Sequence, residues 1–151
     1  MGSFKTSNFQ IELPNGFVDV STYAFVLPRN FPLPADLGSF NPSVVIKFDR
    51  QPPPVDLVKY VVTQRSTLRE TVGKLDIIHE QTGARGRLQT MTTTFEWGTE
   101  GPTRLRQKQY FLLLPTTSVV CSMTATELAT IYNQSEFLFD RIFDSLIPEN
   151  T

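Results

Sequence analysis

The 151-residue chain has one cysteine, Cys121, and one histidine, His79. One thiol cannot close an internal disulfide, so the fold must rest on packing. One imidazole leaves no histidine-built metal site, and the acids Glu96, Glu100, Glu127 and Asp140 show no metal-ligand spacing. No P-loop, GxGxxG or GxSxG occurs. Excess charge of one sign is also missing: 14 Lys and Arg stand against 15 Asp and Glu, for a net charge of -1. Such a surface has no bulk attraction for nucleic acid or anionic lipid. The apolar run Phe111 to Leu114 stops at Pro115, and no run in the chain approaches the roughly 18 apolar residues of a membrane span. Met1 to Ser7 leads into no apolar core of a signal peptide. These absences predict a protein that is not an enzyme, needs no metal or cofactor, binds no nucleic acid and does not insert into a membrane. A cytoplasmic location follows, where a lone thiol stays reduced.

What is present is apolar. Hydrophobic residues make up 40% of the chain, with 12 Phe and 11 Pro. The length suits a single domain over 1–151, with its core over about 9–148. A chain of this size buries roughly 70% of the surface it exposes when unfolded. Phe9 to Leu13 alternates apolar and polar before the turn Pro14-Asn15-Gly16, and reads as a strand. Val20 to Leu27 and Ser43 to Phe48 read as two more, separated by a proline-rich loop over Leu27 to Pro34. After Pro52-Pro53-Pro54 the period changes: Leu57, Val61, Leu68 and Val72 fall at helical spacing, with Asp56 at the start and Gly73 at the stop. Leu75 to Gln81, Arg87 to Trp97, Leu105 to Leu114 and Ser118 to Thr124 read as strands joined by short turns. Thr124 and Glu127 have capping-box spacing, and Phe137, Leu138, Ile142 and Leu146 mark a closing helix before Pro148. The expectation is an α+β fold in the order βββ-α-ββββ-α. Six or seven antiparallel strands carry two helices packed on one face, which leaves the other face open for a partner.

His79 lies between Asp76 and Glu80 and could serve as a general base in a small hydrolase or isomerase; a surface histidine among acids is the plainer reading. Cys121 has no cationic sequence neighbour to activate it and reads as an inert buried thiol. Arg104, Arg106 and Lys108 alternate along one side of a strand and read as a solvated rim rather than a phosphate stripe. The other side carries Leu105, Gln107, Gln109, Phe111 and Leu113. A glutamine on an apolar strand face needs partners for its oxygen and its NH2. It either bonds within its own protein or offers a polar contact to something lying in an apolar groove.

Several segments together resemble a known family. They are Ile-Glu-Leu-Pro (11–14), Ser-Val-Val-Ile (43–46), Tyr-Val-Val-Thr-Gln (60–64), Phe-Glu-Trp (95–97), Arg-Gln-Lys-Gln-Tyr-Phe (106–111) and Leu-Ile-Pro (146–148). In order and spacing they look like the DcrB-like proteins of PsbP fold, and are most similar to the Eag effector-associated chaperones of bacterial type VI secretion. The resemblance implies a cytoplasmic homodimer shaped as an open cradle. It would hold the N-terminal transmembrane helices of a secreted effector until they are loaded onto a spike protein. Family members line the cradle with aliphatic residues and with two glutamines that bond to exposed polar groups of the bound helices. By position these fall at Thr22, Ala24, Val45, Val72 and Leu105, and at Gln64 and Gln109. Thr22 and Ala24 are smaller than the family's usual residues, which implies a shallower wall there. A different PsbP-like interaction module, binding a folded partner through its loops, is the alternative.

Overall fold

The computed structural model describes residues 2–5, 10–15, 22–28 and 40–148. Phe9, Gly16, Val20, Ser21 and most of the proline-rich loop lie outside the described residues. β1 (Gly2–Lys5) and β2 (Gln10–Leu13) pair antiparallel as a separate hairpin; β1 was not foreseen from its sequence. The main sheet contains β3 (Thr22–Val26), β4 (Ser43–Arg50), β5 (Asp76–Arg85), β6 (Leu88–Trp97), β7 (Leu105–Leu114) and β8 (Val119–Leu128), all antiparallel to their neighbours. Its order is β3-β4-β8-β7-β6-β5. α1 (Leu57–Val72) joins β4 to β5, and α2 (Tyr132–Ser145) closes the described chain after one 3-10 turn over Ala129–Ile131. An α+β fold with an antiparallel sheet and two helices is as expected.

The placement of the helices differs from expectation. Phe111 and Leu113 of β7 pack with Val120 of β8 against Leu57, Tyr60 and Val61 of α1. Their neighbours Tyr110, Leu112 and Leu114 pack with Cys121, Met123 and Ala125 against Tyr132, Phe139 and Phe143 of α2. Alternate residues of a strand point to opposite faces. The two helices therefore lie on opposite faces of the sheet. The physical reason is visible in β7: Tyr110 to Leu114 is five apolar residues without alternation, all buried, and such a strand needs cover on both sides.

Each helix covers only part of its face. α1 lies over β6 and β7, with Tyr60 donating to Asp49 Oδ2 of β4 at 2.8 Å on one flank and Arg65 paired with Glu80 of β5 on the other. Asp56 caps its N-terminus by accepting from Lys59 N at 3.1 Å. At its C-terminus Gly73 adopts φ 86, a left-handed conformation that glycine enters without a Cβ penalty. The anticipated capping box at Thr124 and Glu127 does not start a helix. β8 continues to Leu128, and the buried Glu127 carboxylate instead accepts from Leu128 N and from Ser135 Oγ, at 2.8 and 2.9 Å.

Candidate functional site

The register of the sheet gathers a row of side chains on the face that carries α1. Ala24 lies opposite Val45, Val45 opposite Thr124, Thr124 opposite Gln109, Gln109 opposite Thr93, and Thr93 opposite Glu80. Successive strands are about 4.8 Å apart, so these residues form one line across six strands. Thr22 belongs to the adjoining line with Lys47, Ser122 and Phe111, and Leu105 lies at the far end of β7 opposite Leu128. Four of the seven residues expected to line a cradle, Thr22, Ala24, Val45 and Gln109, thus share a face in adjacent registers. Leu105 shares that face about 20 Å along from the line of Thr22. Gln64 sits on the flank of α1 that looks toward β4, in a shallow cleft with Gln51, Val55, Lys59 and Tyr60. Val72, half-buried, ends the helix.

Where α1 does not reach, the face forms a strip over β3, β4 and β8. Thr22 and Ala24 are exposed, while Val45, Thr124 and Gln109 are half-buried. Three strands span about 10–15 Å and eight residues of strand about 26 Å, while an α-helix with its side chains is about 10–12 Å across. The strip is one helix wide. It is also more polar than an aliphatic cradle, because β8 presents Ser122, Thr124 and Thr126 toward it. Gln107 Nε2 donates to Thr126 Oγ1 at 2.9 Å. Gln109 is different: its Oε1 is buried without a hydrogen-bond partner among the described residues, as are Thr93 Oγ1 and Trp97 Nε1 on the same face. The sequence reading missed Ser122, Thr124, Thr126 and Thr93 as members of this face. The alternation of hydroxyls at 122, 124 and 126 was the available signal.

The cationic stripe lies on the opposite face and is neither a solvated rim nor a free anion site. β7 is an interior strand. Arg104 pairs with Asp76 and donates through Nε to Glu96 at 3.1 Å. Arg106 Nε donates to Glu96 Oε2 at 2.7 Å, and Lys108 Nζ donates to Asp140 Oδ1 at 2.8 Å. Burial acts to raise the pKa of Glu96, but the hydrogen bonds from Arg106 and Arg104 outweigh it and hold that carboxyl below its ordinary value. Burial, followed by the hydrogen bond to Asp140, keeps the Tyr110 phenol neutral well above its usual range.

The candidate chemical groups are placed unfavourably for catalysis. His79 is exposed, with its nearest polar partner Gln81 Oε1 at 3.4 Å from Nε2. The acids that could orient it are engaged elsewhere, Glu80 by Arg65 and Asp76 by Arg104. Cys121 is fully buried, which pushes its thiol up to about 12. Among the described residues no group of three or more His, Cys, Asp and Glu is placed to hold a metal, and no helix is long and apolar enough to cross a membrane.

A second concavity lies on the α2 face between α2 and the β3–β4 hairpin. It encloses about 580 Å³ and is lined by Phe25, Val44, Ile46, Leu138 and Ile142 among others.

No family model matches the chain, and no curated protein sequence matches it. Its fold is found in solved structures. The PA94 protein of Pseudomonas aeruginosa, whose function is unknown, superposes with a TM-score of 0.76 at 19% identity, covering 100% of this chain and 99% of its own. The cyanobacterial PsbP of Synechocystis superposes at 0.59 with 11% identity, over 95% of this chain and 89% of its own. The Ran-binding protein Mog1p of Saccharomyces cerevisiae superposes at 0.53 with 15% identity, over 90% of this chain and 82% of its own. The chain therefore has a PsbP/Mog1-like fold.

Proposed function

We propose that this protein is a chaperone that shields apolar helices, and that its client is the N-terminal transmembrane region of a type VI secretion effector. The observation that carries the proposal is the one-helix-wide strip on the α1 face, bounded by Thr22, Ala24 and Val45 and ending on Gln109 Oε1, which has no partner among the described residues. An apolar helix in water aggregates, because each fully buried Leu or Ile side chain is worth about 1.5–3 kcal/mol. Helices that pack together in lipid meet through small and hydroxyl-bearing residues. A surface of Ala, Val, Thr and Gln can imitate such a partner. Binding of this kind needs no covalent step, in keeping with the placement of His79 and Cys121. The working unit in this reading is a cytoplasmic homodimer, two strips serving a pair of helices, which hands its client to a spike protein.

The test is coexpression. A soluble reporter carrying two apolar segments of about 20 residues should stay soluble and copurify with the chain. Ala24→Asp places a charge on an exposed position of the strip and should abolish copurification while the circular dichroism spectrum is unchanged. If Ala24→Asp and Gln109→Lys both left the complex intact, the strip would not be the binding surface. If changes at Gly98 to Pro102 broke it instead, the loop-binding module would replace the chaperone reading.

A further inference from the structure

The concavity on the α2 face is a trough with a floor, not a flat patch. Val44 and Phe139 at its base are buried, whereas Phe25, Leu27 and Ile147 at its lip are each more than half exposed. The helix wall runs from Leu138 to Leu146, about 12 Å, and the strand wall from Pro42 to Ile46, about 13 Å. The volume of about 580 Å³ is that of a small-molecule site, for which about 300–1,000 Å³ is usual. Among the described residues, Ser145 is the one polar side chain in the lining, and its Oγ already donates to Ile142 O at 2.7 Å. No charged side chain lines the trough.

We propose that this trough binds the alkyl chain of a single-chain amphiphile and leaves the polar end in water at the lip. The site lies on the opposite side of the sheet from the α1-face strip, and the inference does not depend on what that strip holds. Apolar cavities without polar partners do not hold ordered water and take apolar guests instead. An alkyl chain laid between the two walls buries its length and asks for no hydrogen bond. A membrane-spanning helix of about 20 residues is about 30 Å long. More than half of it would stay in water.

Charge separates a free amphiphile from a lipid surface. α2 carries one basic residue, Arg141, against Glu136, Asp140 and Asp144. Arg141 lies over the Phe137 ring at 5.7 Å. Peripheral binding to anionic membranes draws on clusters of Lys and Arg beside the apolar surface, and this helix has the reverse balance. The same balance gives a carboxylate head no advantage over a hydroxyl.

Displacement of dansyl-undecanoic acid from the full chain tests the trough, with octanol, decanol, dodecanol and laurate as competitors below their micelle concentrations. Affinity should rise about fourfold for each CH2 added from octanol to decanol and level off once the chain outgrows the trough. Laurate should bind no more tightly than dodecanol. Leu138→Trp narrows the trough from a partly exposed position and should weaken binding by about tenfold or more. Ser145→Phe, exposed on the same wall, should do the same, and circular dichroism shows whether each variant is folded. Val58→Asp, which removes an exposed apolar side chain from α1, should leave binding unchanged. Affinity that does not change with chain length overturns the proposal. Equal weakening by Val58→Asp and the two trough variants would mean adsorption to any exposed apolar surface, and also overturns it. If the protein cosediments with phosphatidylglycerol vesicles but binds no free alcohol, the lip is a membrane contact and the proposal fails.

Discussion

Glu96 shows how much a single residue's role depends on what the fold brings to it. In the sequence it is one acid among fifteen acidic residues; in the fold it accepts from both Arg104 and Arg106. Its folded pKa lies below the ordinary 4.5. The unfolded chain therefore takes up the proton first on acidification. The stabilisation by Glu96 is complete above about pH 4.5 and is lost as pH falls through the lowered folded value. Glu96→Gln should lower Tm near neutral pH, and the gap to wild type should narrow below about pH 4.5. A gap independent of pH would mean that the carboxylate charge contributes nothing. The sides of β7 were legible from alternation alone, Arg104, Arg106 and Lys108 against Leu105, Gln107 and Gln109. The partners were not, because Asp76, Glu96 and Asp140 come from three different elements. The same limit hid Thr93, since only the register of β6 on β7 places it opposite Gln109.

At the scale of the element, local chemistry was a good guide where it had no competitor. The helical period from Leu57, with Asp56 before it and Gly73 after it, located α1 closely. Asp56 accounts for one of the helix's otherwise unpaired N–H groups, and Asp56→Ala should cost about 1 kcal/mol. That is a fall in Tm of about 2–4 °C for a domain of this size, measurable by calorimetry. An unchanged Tm would show that water replaces the cap. Local chemistry misled where sheet pairing outweighed it. Thr124 and Glu127 have the spacing of a capping box, but β8 runs to Leu128 because residues 119–128 pair with β7 along its full length. The Glu127 carboxylate then finds its donors in Leu128 N and Ser135 Oγ. The run Tyr110 to Leu114 already signalled a strand covered on both faces. Counting helices against one face overlooked that signal.

At the scale of the molecule, one helix on each face of a six-stranded sheet turns an open face into an open strip, and the strip runs out to the edge strand β3. The two edges of the sheet differ. β5 carries Asp76, His79, Glu80 and Arg85, with a register shift between Ile77 and His79. Charges and bulges of this kind keep an edge from pairing with another chain. β3 has neither: Thr22-Tyr23-Ala24-Phe25-Val26 is uncharged, and Phe25 and Val26 are 58% and 59% exposed. If the proposed homodimer forms by pairing β3 with β3 of a second copy about a two-fold axis at Ala24, Tyr23 falls opposite Phe25 of the other copy and Thr22 opposite Val26. Aromatic and β-branched cross-strand pairs of this type are each favourable by roughly 0.2–1 kcal/mol. The two strips would then lie side by side on one continuous face, wide enough for two helices. Light scattering should give twice the chain mass of 17.1 kDa, and Phe25→Lys should reduce it to a single chain without loss of secondary structure. Ile78→Lys, on the exposed opposite edge, should leave the mass unchanged. Dissociation by Ile78→Lys alone would move the interface to β5 and separate the two strips by the width of both sheets.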